Sequence, residues 1–176
     1  MDIKSLLPDF KAIGKTDWSK PQIKKDKRSI IILVAVALMI ILPFCSWFSI
    51  HVTQGKAVAD GSMLGVQSWY GILGLIMGLV ALVGVLYDHK ELIFWAGILA
   101  AVFGLIGGTV WPDLNIEVSN NGVRLYERIY NESEARKLIS DSIKHGSHEV
   151  GRSIPMFFAV VSLVATILTY KNLKNK

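Results

Sequence analysis

Residues 69–111 read WYGILGLIMGLVALVGVLYDHKELIFWAGILAAVFGLIGGTVW, and this stretch decides the fold. It contains two runs, 69–87 and 92–111, without a single Asp, Glu, Lys, Arg or His, parted by Asp88-His89-Lys90-Glu91. A helix rises about 1.5 Å per residue, so each run covers the roughly 30 Å of a bilayer's hydrocarbon. No water is available there to satisfy the backbone, so each run is expected to be helical. A connection this short makes the two helices antiparallel neighbours.

Working outward, 29–50 and 154–170 are two further windows free of ionisable residues. The chain is 52% hydrophobic and 19% charged, two values compatible only because charged and apolar residues are segregated along it. The expected fold class is an all-α integral membrane protein. It is a bundle of four transmembrane helices, with a small extracytoplasmic β-hairpin and an amphipathic helix between spans 3 and 4.

The expected organisation begins with a basic cytoplasmic segment, 1–28, followed by the first span, 29–50, and a short external loop, 51–68. The second span is 69–87, the cytoplasmic turn 88–91 and the third span 92–111. An external hairpin-helix loop, 112–153, leads to the fourth span, 154–170, and a basic tail, 171–176. Orientation follows from charge: 12 of the 19 Lys and Arg residues fall in 1–28, the turn and the tail. Positive residues beside spans favour the cytoplasm, so both termini are expected inside, in a plasma membrane of the bacterial inner type. This distribution accounts for the net charge of +5 without nucleic acid. Ala57-Val58-Ala59 has the small residues of a signal-peptidase site, but the long region before the first window reads as an uncleaved signal anchor.

Within the basic segment, Ile3, Leu6, Leu7 and Phe10 fit either one amphipathic turn on the inner leaflet or a solvated tail. At the outer end of the first span, Pro43 is placed to kink the helix and Trp47 to anchor at the headgroups. In the long external segment, 116–125 alternates about Asn121-Gly122, a type I′ turn dipeptide, which predicts a β-hairpin. A lone hairpin is marginal in water, so it should rest on 51–68 or on a partner. Asn131 followed by Glu134 resembles a helix cap, with Ala135, Leu138, Ile139 and Ile143 on one face. Asn131-Glu132-Ser133 also matches a glycosylation acceptor.

The spans carry small residues at helical spacing: Gly71, Gly74 and Gly78 in the second, Gly97, Ala101, Gly104 and Gly108 in the third, Ala159, Ser162 and Thr166 in the fourth. Such stripes let backbones approach closely, where dispersion holds them. They fit packing within one chain, or a seam or pore lining between chains.

The chemistry is marked by what the spans lack. Transporters and pumps keep ionisable groups within the membrane, and these windows hold none. No catalytic residues or cofactor are expected. His145 and His148, near Asp141 and Glu149, are weak candidates for a metal site, against a solvated loop. Cys45 is the only cysteine, so no internal disulfide is possible. Four spans, cytoplasmic ends and a β-containing external layer resemble the claudin and tetraspan style in outline. That family's paired external cysteines are missing, and its longer loop comes first rather than second, so no residues are carried over.

The functional expectation is a non-enzymatic membrane protein acting through contacts, as a subunit, scaffold or accessory of an envelope complex. Its expected partners are membrane lipid and other membrane or envelope proteins, or further copies of itself. The alternative is a homo-oligomeric channel or membrane-permeabilising effector, with Ser162, Thr166, Thr169 or the glycine stripes facing the pore.

Overall fold

The first helix, α1 (Lys27–Ile41), starts where Asp26 accepts hydrogen bonds from the Ser29 amide at 3.2 Å and the Ser29 hydroxyl at 2.6 Å. A carboxylate at this position satisfies amides that have no partner in the first turn. The structure is a computed structural model that describes residues 21, 26–54, 57–110, 114–120, 123–130, 147–151 and 153–174.

The first apolar window is not one helix to residue 50. After α1 comes a 3-10 turn, Leu42–Phe44, and then strand β1 (Ser46–Gln54). Pro43 has no N–H to continue the helical ladder, and the aromatic and β-branched residues after it favour a strand. The expected loop at 51–68 is also corrected. It holds the rest of β1, strand β2 (Ala57–Leu64) and a 3-10 turn, Gly65–Gln67.

Ser68 links this turn to α2 (Trp69–Leu86): its hydroxyl donates to the Gly65 carbonyl at 2.7 Å and accepts from the Gly71 amide at 3.1 Å. At the far end of α2, Asp88 takes a φ of 54°, and the His89 amide bonds the Gly84 carbonyl at 2.8 Å. This is a Schellman closure with an aspartate where glycine is usual. The chain then reverses into α3 (Lys90–Thr109). Strands β3 (Leu114–Asn120), β4 (Val123–Tyr130) and β5 (Ser147–Gly151) follow, and α4 (Ser153–Lys174) completes the described elements.

Helices α3 and α4 share the most extensive contact, α2 packs on α3, and α1 lies against both α2 and α4. Among the described residues, four helices are long and apolar enough to cross a membrane. Their interior faces carry small residues such as Gly74, Gly78, Ala100, Gly104 and Ala165. Ile31, Ile76, Leu105, Phe157 and Ile167 are among the large apolar residues exposed on the outside. A water-soluble protein rarely shows so continuous an apolar exterior, whereas lipid tails solvate it.

The described strands form one five-stranded antiparallel sheet in the order β4-β3-β2-β1-β5. The expected hairpin is β3–β4, whose last pair, Asn120↔Val123, leaves two residues for the connection. It rests on 57–61 through β2. The all-α class therefore holds for the bundle alone, and its companion layer is a sheet wider than one hairpin. Such width was hidden because the first part of β1, 46–50, lies inside a window whose length satisfied the criterion for a span. The expected helix over 131–146, the glycosylation acceptor and the N-terminal amphipathic turn lie outside the described residues.

Candidate functional site

The small residues singled out in the sequence meet their neighbours inside a single chain. A Cβ placed on Gly78 would stand 3.1 Å from the Met39 carbonyl oxygen of α1. On Gly104 it would stand 2.9 Å from both the Ala159 nitrogen and the Pro155 carbonyl oxygen of α4. On Gly74 it would press the Phe158 ring at 3.0 Å, and on Gly97 it would collide with the Thr166 hydroxyl. On Gly71 it would overlap the Gly65 carbonyl, whereas at Gly108 it would meet only the flexible side chain of Met156. Ala101 and Ala159 are buried. Backbone thus lies where a side chain would otherwise hold the helices apart, as close packing in lipid requires.

Where this packing reaches the sheet, Trp47 is inserted. Its ring is 1% exposed, and its indole N–H donates to the Leu42 carbonyl at 2.8 Å. It stacks on Tyr70 with ring centroids 6.0 Å apart and meets Phe158 at 5.2 Å. Gly65 and Gly107 provide the space: a Cβ on either would lie within 2.7 Å of the indole. Trp47 was expected as a headgroup anchor, but it is a core residue that closes the sheet-side end of the bundle. The cause is a bulge in β1. Ser46 pairs with Leu64 and Phe48 with Met63, which leaves Trp47 as the extra residue. Strand alternation sends neighbours to opposite faces, but at a bulge both Trp47 and Phe48 are buried. The sequence signal for the socket, Gly65 and Gly107, lies in two separate elements and becomes legible only once they converge.

The hydroxyls on α4 are buried and engaged. Ser162 donates to the Phe158 carbonyl at 2.8 Å, Thr166 to Ser162 at 2.9 Å and Thr169 to Ala165 at 2.7 Å. Each is satisfied by its own helix, four residues back. Cys45 is a half-buried free thiol.

Of the weak metal candidates, His145 lies outside the described residues, and His148 sits in β5 opposite Val52. Glu149, its neighbour, stands opposite His51 in the register. Among the described side chains, no group of three or more His, Cys, Asp or Glu is arranged around a common point. At the other end of the molecule, hydrogen bonds from the Ser29 side chain and backbone lower the carboxyl pKa of Asp26.

No protein-family model, curated protein or solved structure matches this chain.

Proposed function

We propose that this protein is a non-enzymatic integral membrane protein that acts through protein contacts, as a subunit, scaffold or accessory of an envelope complex. Both termini face the cytoplasm, and the sheet lies outside, by the distribution of positive charge. The observation that carries the reading is the filled, self-satisfied bundle. Glycine seams meet backbone within the chain, Trp47 fills the sheet-side end, and the α4 hydroxyls bond their own helix. An interior of this kind offers no polar path for a solute, which favours contact over conduction through the bundle. The five-stranded sheet then supplies the surface for recognition outside the lipid, and the apolar helix exteriors suit lipid or other membrane helices.

The test is the native mass of the complex extracted gently from its own membrane, with crosslinking to identify what lies beside the sheet. The expected result is one chain associated with other proteins. A ring of identical chains that leaks ions in liposomes would replace this reading with the channel.

A further inference from the structure

Two helices present matching exposed stripes that begin with a lysine. On α1, Lys27, Ile31 and Val34 follow at intervals of four and three residues, and Ile41 continues the same side two turns on. On α4, Lys171, Ile167 and Val164 repeat these intervals in reverse, and Phe157 continues them. Such spacing places each set on one side of its helix. All eight residues are exposed, with Ile31 at 49% and Ile167 at 52%.

The topology sets the two stripes beside each other. Helix α1 leads to the sheet through β1, and α4 leaves it after β5, so Lys27 and Lys171 stand at the same end of the bundle, away from the sheet. The two helices pack together. Gly78 of α2 lies against Met39 and Ile40 of α1, and Gly97 and Gly104 of α3 lie against Thr166, Ala159 and Pro155 of α4, so neither stripe is used in those contacts. Packed helices lie about 8–10 Å apart, a gap that two lysine stems can bridge.

Charge selects the occupant. Residues 1–28, 88–91 and 171–176 hold twelve Lys and Arg against six Asp and Glu, whereas 51–68 and 112–153 hold seven against eight. Of the described carboxylates at this end, Asp26 accepts from Ser29. Asp88 and Glu91 lie where α2 turns into α3, away from the α1–α4 pair. A cation one turn beyond an exposed apolar stripe matches a phospholipid, with its phosphate at the membrane surface and its acyl chains in the hydrocarbon. Lysine stems at the end of a span carry the ammonium to that level. A soluble anion would meet the charge and leave the stripes uncovered.

We infer that Lys27 and Lys171 bind the headgroup of one anionic phospholipid, whose acyl chains lie along Ile31, Val34, Val164 and Ile167. The anionic leaflet of a plasma membrane is the cytoplasmic one, the side on which positive charge places this end of the bundle. The inference goes beyond the proposed contact function and requires only that the bundle lie in a bilayer.

The test adds phosphatidylglycerol to the delipidated full-length protein in detergent and counts bound lipids by native mass spectrometry, with thermal unfolding in parallel. One phosphatidylglycerol per chain and a raised Tm are expected. Phosphatidylcholine with the same acyl chains, which has no net charge, should do neither, and inorganic phosphate should not compete. Lys27→Gln and Lys171→Gln should each weaken binding about fivefold, the usual contribution of one lysine near an anionic surface, and Lys171→Arg should bind as wild type does. Circular dichroism establishes that the variants fold. Equal retention of the two lipids, unchanged affinity in the folded Lys27→Gln, Lys171→Gln double variant, or displacement of the lipid by inorganic phosphate would each overturn the assignment.

Discussion

The indole of Trp47 donates to the carbonyl of Leu42 at 2.8 Å, so a residue of the sheet closes the end of the helix that leads into it. The same carbonyl accepts the Cys45 amide at 3.0 Å. Helix end, tight turn and bulged strand are thereby fixed together around one side chain.

Trp47→Ala should cost about 3–5 kcal/mol, the usual range for removing a buried large aromatic. Trp47→Phe should cost less, because the ring stack survives and the hydrogen bond contributes about 0.5–1.5 kcal/mol. Reversible unfolding in mixed micelles measures both. Equal losses would mean that the hydrogen bond, rather than the packing, dominates.

The glycines should separate by what an added methyl meets. Gly104→Ala meets the α4 backbone and should destabilise by about 1–3 kcal/mol, the typical cost of overpacking. Gly108→Ala meets the end of Met156 and should be near neutral, helped by the better helix propensity of alanine. Gly78→Leu should be more damaging still, because the Met39 carbonyl cannot move aside. Thermal stability of the monomer in detergent distinguishes these outcomes, and losses confined to oligomer mass would place the seam between chains.

Gly97 and Thr166 should couple. Gly97→Ala brings its methyl against the Thr166 hydroxyl, and Thr166→Ala removes that obstacle. A double-mutant cycle should recover part of the Gly97→Ala loss, leaving the part due to the Ser162 carbonyl 3.0 Å away. Additive losses would show that the helices shift rather than clash locally.

Thr166→Val should leave liposome ion flux at its wild-type level, because the hydroxyl bonds its own helix at 2.9 Å. Its stability cost should be no more than about 1 kcal/mol, the net contribution of a single hydrogen bond. A change in conductance would revive the pore reading.

The N-terminal cap of α1 should be sensitive to acid. Hydrogen bonds from Ser29 lower the Asp26 carboxyl pKa from 3.8, so folding favours the charged form. The resulting stability is present above the unfolded value of 3.8 and is lost as pH falls through the lower, folded value. The protection of the Ser29 amide, its exchange rate relative to the intrinsic rate at the same pH, should fall only in that acidic range. Asp26→Asn should abolish this pH dependence while keeping a neutral cap.

The sequence by itself determined the four long apolar helices, the antiparallel turn at Asp88 and the β3–β4 hairpin at Asn121-Gly122. Each is set by local physics: the length that hydrocarbon demands of a helix, and a dipeptide that tolerates positive φ. It also marked the glycine stripes. Their neighbours inside the chain were not legible, because a bare backbone can face any partner. Only the tertiary structure decided that residues 46–50 leave the helix for a strand, that β5 joins the edge of β1, and that Trp47 turns into the core. The reason is physical: strand pairing and socket formation depend on segments that are remote in sequence and adjacent only after folding.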